Sequence, residues 1–186
     1  VIQMLNHGIS TPALFLLVGY IYERRHTRDM NVLSGLQVKA PMLAGFFMLV
    51  MLSSVGLPGL NGFVGELLIL VGAFRWDPGL ASFAACGVLL SAVYMLWMFQ
   101  RVFYGKITNS HNADLKDLSF REWAIVGPLA AAAIGMGVLL SVSALLLEEM
   151  SFHVYPNQRD VLKLLLAAIL ENFGFRQLNS VWKLIG

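Results

Sequence analysis

The sequence predicts an all-α, polytopic transmembrane protein of about four spans, the second of them broken near Pro58-Gly59. Three observations carry this. Hydrophobic residues make up 58% of the chain and charged residues 13%, with a mean hydropathy of +0.70, whereas soluble domains average roughly a quarter charged. Four apolar segments follow one another, three of them holding roughly 20 or more residues, the length a helix needs to cross about 30 Å of hydrocarbon. The run Gly56-Leu57-Pro58-Gly59-Leu60-Asn61-Gly62-Phe63-Val64-Gly65-Glu66 interrupts the second segment and ends on a carboxylate.

The first segment covers about residues 2–22, with His7 its titratable group of note. The chain opens Val-Ile-Gln-Met, already inside apolar sequence and without a basic leader region, so it is expected to be the C-terminal part of a longer polytopic protein. The second segment, residues 40–74, contains no ionisable residue except Glu66. Its roughly 35 residues would reach about 52 Å as one helix. That is too long for one straight span, so it is either two short spans or one broken span.

Flanking charge decides between them. Arg24, Arg25, Arg28 and Lys39 follow the first segment, and Arg101, Lys106, Lys116 and Arg121 follow the third, about residues 79–99. The connector between the second and third segments has Arg75 alone. A single crossing puts both basic loops on one side, as the positive-inside rule prefers. One broken span is therefore the better reading, with the basic loops cytoplasmic, or on the equivalent side of an organelle membrane. Glu66 lies nine residues before Arg75, hence about 14 Å inward along a helix, roughly half the hydrocarbon thickness.

The stretch 105–121 reads as a loop, with Asn109, Ser110, His111 and Asn112 expected at its most mobile part. Ser119 with Glu122 three residues later matches a capping box opening the fourth segment, about residues 123–147. Residues 1–150 thus form the membrane domain. Residues 151–186 form a tail whose apolar core, 164–170, is too short to span; it fits an amphipathic helix on the membrane surface or against a partner, with a poorly ordered extension as the alternative.

Net charge is +2 and scattered, which gives no footprint for nucleic acid. The single Cys86 excludes an internal disulfide and any cysteine-ligated cluster supplied by this chain alone. No metal-ligand spacing, phosphate loop or nucleophile–base pair is present in the sequence. Gly56, Gly59, Gly62 and Gly65 form a GxxG ladder, read as backbone freedom and close helix approach rather than a nucleotide fingerprint.

Two side chains carry the candidate chemistry. A carboxyl inside hydrocarbon is read by default as part of an ion or proton pathway, and broken helices are where transporters build such sites. Glu66 is therefore the first candidate proton-relay group. His7 is the second, because imidazole titrates nearest neutrality and Gly8, Ser10, Thr11 and Pro12 put hydroxyls and a kink within about a turn. A packing histidine is an equally good reading of His7 from sequence alone. Asn61, Ser53 and Ser54 flank the break, where structure is the better reading. The cluster Glu23, Arg24, Arg25, His26, Arg28 and Asp29 reads as topology determination with surface ion pairs, and Arg101 and Tyr104 as interfacial anchors.

His7-Gly8-Ile9-Ser10, the run from Tyr22 to Asp29, and Gly56-Leu57-Pro58-Gly59 through Glu66 resemble the subunit M family of the proton-pumping NADH:quinone oxidoreductase, respiratory complex I. Tyr94-Met95-Leu96-Trp97, Arg101 to Gly105 and Asp117 to Glu122 continue the resemblance, which covers about residues 1–147. It implies an antiporter-like subunit of about fourteen helices, of which this chain matches roughly the last four. Glu66 falls on the family's terminal proton-exchanging glutamate and His7 on the histidine of its central hydrophilic axis.

Sister subunits L and N usually have Pro-Pro where this chain has Pro58-Gly59, and typically lysine at the position of Glu66, so subunit M is favoured. The alternative is a subunit of a multisubunit sodium/proton antiporter. The resemblance further implies a translocase subunit in an electron transport chain, in a bacterial inner (plasma) membrane or, alternatively, an organellar inner membrane. Its partners would be the lipid bilayer, protons and the antiporter-like subunits L and N, with no nucleic acid. Neither NADH, FMN, iron–sulfur clusters nor quinone would bind this chain; they belong elsewhere in the complex. The family's input lysines belong to earlier helices, so these residues are not expected to pump unaided. Nothing is carried over to the tail beyond Tyr155.

Overall fold

A computed structural model describes residues 1–152, and every regular element among them is helical. In chain order these are α1 (Ile2–Arg25), α2 (Pro41–Ser54), α3 (Asn61–Trp76), α4 (Pro78–Phe103) and α5 (Phe120–Phe152), with 3₁₀ turns at Leu36–Val38 and Ser110–Asn112. The expected surface helix within 151–186 lies outside the described residues from 153 onward.

Three of the helices, α1, α4 and α5, are long and apolar enough to cross a membrane. The α2 and α3 helices, with 14 and 16 residues, reach only about 21 and 24 Å, so neither crosses about 30 Å of hydrocarbon alone. Helix α1 packs along both of them, while α2 and α3 meet each other only sparingly. That is the arrangement of two half-helices laid end to end rather than of a hairpin, so residues 40–74 make one broken span.

Local chemistry sets the helix ends. Pro41 and Pro78 begin α2 and α4, where the missing N–H is no loss and φ is already helical. Asp77 turns the chain between α3 and α4 and caps the latter, its Oδ1 accepting from Gly79 N at 2.7 Å and Leu80 N at 3.0 Å. His26 closes α1 in a left-handed conformation, its N–H donating to Tyr22 O at 2.7 Å. The capping box at α5 is formed: Ser119 N donates to Glu122 Oε2 at 2.7 Å and Glu122 N donates to Ser119 Oγ at 3.4 Å.

The core lies toward the basic end of the bundle, where Leu17, Leu43, Phe47, Val50, Phe99, Phe103 and Val126 are buried. Phe103 stacks on Phe99 with centroids 4.6 Å apart and meets Phe47 at 4.8 Å. This packing explains why α4 runs on past residue 99, through polar Gln100 and Arg101, to Phe103. The middle of α4 presents Leu89, Leu90 and Val93 outward, a face suited to lipid or a neighbouring helix.

The loop from 104 to 119 differs from expectation. Asn112, expected in its most mobile part, is fully buried, its Nδ2 donating to Val32 O at 3.0 Å and Ser34 O at 3.3 Å. Ser34 and Thr108 hydroxyls lie 2.7 Å apart. A polar run signals exposure only when no second loop is near, and here the connector after α1 supplies the partners.

Candidate functional site

The break between α2 and α3 runs from Val55 to Leu60. Gly56 and Gly59 adopt φ of 81° and 95°, conformations that L side chains rarely hold. Gly62 and Gly65 serve close approach: a Cβ on Gly62 would overlap the Ser53 carbonyl oxygen, and one on Gly65 would overlap Gln3 Oε1. From the other side α5 presses in at Gly137, where a Cβ would overlap the Gly59 carbonyl and crowd Leu60. The GxxG ladder thus does what the spacing suggested, and α1, α2 and α5 enclose the break.

Glu66 sits one turn and a half into α3, half-buried. Its carboxylate folds back toward the break, close enough to Gly56 that a Cβ there would overlap Oε2. A carboxyl at this point faces loosened backbone instead of a closed helix surface, as in the half-helix ion sites of transporters.

His7 is exposed on α1, its ring within reach of the Thr11 hydroxyl (Nδ1 to Oγ1, 3.1 Å). Among the described residues no hydrogen bond joins His7 to Glu66. What does join their helices is the residue next to His7. Asn6 Nδ2 donates to the Asn61 backbone carbonyl at 2.6 Å, and Asn61 Nδ2 donates back to the Asn6 carbonyl at 3.4 Å. Ser53 Oγ donates to Asn61 Oδ1. Asn6, Ser53 and Asn61 are all fully buried. The sequence singled out Asn61 and Ser53 but not Asn6, and helical periodicity at the start of a chain offers too few residues to show that its face is turned inward.

The basic end holds a second polar cluster. Arg24, read from sequence as part of a surface group, turns inward instead. Its Nη1 and Nη2 clasp Glu122 Oε1 and Oε2 at 2.8 and 2.7 Å. It also donates to the carbonyls of Tyr20, Lys116 and Asp117 at 3.0, 2.9 and 3.2 Å. Asp117 in turn caps α2, its carboxylate accepting from Met42 N at 2.8 Å and Leu43 N at 2.9 Å. Arg28 lies 4.8 Å over the Tyr22 ring and Arg101 5.3 Å over Trp97, while Arg25 is partly buried, its Nε without a hydrogen-bond partner among the described residues. Among the described residues no group of three His, Cys, Asp or Glu is placed to hold a metal.

Comparison with known proteins agrees with this architecture. Residues 1–93 match the family model described as NADH:quinone oxidoreductase/Mrp antiporter, TM. The chain is similar to NADH-quinone oxidoreductase subunit M of Rhodobacter capsulatus, 41% identical over 157 residues, which is 84% of this chain and 31% of that relative. It is also similar to the subunit M proteins of Rickettsia typhi (43% identical, 75% of this chain, 28% of the relative) and Mycobacterium tuberculosis strain H37Rv (43%, 74% and 25%). Among solved structures it resembles a chain of respiratory complex I from Thermus thermophilus with bound NADH, with a TM-score of 0.68 and 38% identity, covering 73% of this chain and 28% of that one. The chain therefore spans about a third or less of the length of these relatives.

Proposed function

The chain belongs to the NADH:quinone oxidoreductase/Mrp antiporter transmembrane family, and on that premise we propose that it forms the terminal part of a proton channel in the membrane arm of an NADH:quinone oxidoreductase. Glu66 passes the proton on, and His7 belongs to the relay that feeds it. The observation that carries this reading is the carboxylate of Glu66 turned onto the helix break inside an otherwise uncharged span. A carboxyl in that setting can hold a proton at low cost and give it up when a nearby charge or water changes. The likeness to subunit M proteins supports the redox-linked complex over a sodium/proton antiporter.

On this reading the chain does no redox chemistry of its own. NADH, FMN, iron–sulfur clusters and quinone act elsewhere in the assembly, and shifts in charge and hydration along the membrane arm drive the proton past His7 to Glu66. The two ring nitrogens of His7 reach Thr11 on the exposed face of α1, a face free to meet the helices that bring the proton in. Antiporter-like subunits L and N are the partners, and a bacterial inner membrane the location.

The test is proton uptake into sealed vesicles carrying the whole complex, wild type against Glu66→Gln, while NADH oxidation is followed. Pumping and coupled turnover should fall sharply in an assembled Glu66→Gln complex. Persistence of both would make Glu66 structural.

A further inference from the structure

Three fully buried polar side chains on three helices meet at the break, and the proton path just described does not use them. In hydrocarbon an unsatisfied polar group is costly, so polar groups buried together there bond to one another. Most of these do so through Asn61, while Asn6 Oδ1 is buried without a hydrogen-bond partner among the described residues. Asn61 Oδ1 accepts from Ser53 at the end of α2, and Asn61 Nδ2 donates to the Asn6 carbonyl on α1. Asn6 Nδ2 returns a bond to the Asn61 carbonyl at 2.6 Å, and Ser10 Oγ adds a bond to the Asn6 carbonyl at 3.0 Å. Asn61 is the first residue of α3, and the start of that helix has no side-chain cap to hold it.

We infer that Asn61, held between Asn6 and Ser53, is the positioning residue that sets the geometry of the break and thereby the surroundings of the Glu66 carboxylate. This rests on the reading of Glu66 as a relay group. Interhelical asparagines often serve only as glue, but three features of this one go further. Among the described residues, Asn61 is the one side chain hydrogen-bonded to both α1 and α2. Its partner Asn6 adjoins His7, so a shift of the α1 backbone around His7 reaches α3 directly. Finally, the Glu66 carboxylate lies against Gly56 inside the break. Its environment therefore follows the relative placement of α2 and α3, which the Ser53–Asn61 bond defines.

The experiment uses the full-length protein in its assembled complex. The infrared carboxyl band of Glu66 is assigned as the band lost in Glu66→Gln, then titrated in Asn61→Ala, Asn6→Ala and Ser53→Ala. The expected result is a titration midpoint displaced by about half a pH unit or more, the size of one lost positioning hydrogen bond. Proton uptake per NADH oxidised should fall in the same variants, while NADH oxidation by an artificial acceptor stays unchanged. An unmoved Glu66 titration in an assembled variant, whatever happens to pumping, overturns the inference and leaves Asn61 as packing. Should Asn61→Ala fail to assemble, Asn6→Ala and Ser53→Ala, each removing one side-chain hydrogen bond to Asn61, answer the same question. Normal pumping in Glu66→Gln would instead sink the relay reading itself, so the two failures are distinguishable.

Discussion

Removing the carboxylate of Asp117 should loosen the start of α2, a helix more than seventy residues away in sequence. The Asp117 oxygens accept from Met42 N and Leu43 N, and α2 has no cap from its own Ala40 side chain. Losing an N-cap costs about 0.5–2 kcal/mol, and hydrogen bonds to a charged acceptor lie at the upper end of the scale. Water can replace the bond at Met42, which is 50% exposed, but has little access to Leu43, which is fully buried. A value of about 2 kcal/mol follows for Asp117→Ala, or about 30-fold faster amide exchange at Leu43 through local opening. Asp117→Asn, which keeps an acceptor and loses the charge, should fall between. Hydrogen exchange read by mass spectrometry on the full-length protein in detergent resolves the 41–54 segment. If Asp117→Ala leaves exchange at Leu43 within twofold of wild type, the cap does not hold α2 and the reasoning is wrong.

Other consequences are equally direct. Gly62→Ala should lower the thermal midpoint of the solubilised protein, because its Cβ would overlap the Ser53 carbonyl and overpacking costs about 1–3 kcal/mol. Gly72→Ala, with nothing within 4 Å of the new methyl, should leave the midpoint unchanged or raise it; equal effects of the two would contradict the close approach. Arg24→Ala breaks a partly buried ion pair, its side chains 17% and 14% exposed, and should weaken the docking of the 104–119 loop by about 1–2 kcal/mol. Trypsin should then cut at Lys106 and Lys116 faster than in wild type, and only in vesicles that expose the basic face. An unchanged rate would mean that the loop is held by other contacts, and cutting from the opposite face would reverse the topology.

Much of the candidate site was legible one residue at a time. Glu66 stands out because burial in hydrocarbon makes any carboxyl exceptional, and Pro58 with its flanking glycines marks the break because backbone freedom and a missing N–H act locally. The Ser119–Glu122 capping box was readable for the same reason, since its partners are three residues apart. Asn6 was not legible, because a lone amide in an apolar helix says nothing about which helix it will face. Arg24 was misjudged because a basic cluster after a span is usually solvated, and only the arrival of Glu122 from far along the chain turns one member inward.

By itself, then, the sequence determined the all-helical class, the roughly four apolar segments and the broken helix, properties set by apolar length and local backbone chemistry. The tertiary structure alone decided what holds the pieces in place: Asn6 against Asn61, Arg24 against Glu122, and Asp117 on the end of α2, joined across 55, 98 and 74 or 75 positions of sequence. Such pairs depend on which helix faces come together. Each polar side chain had several possible partners in sequence, and only packing selected the ones it bonds.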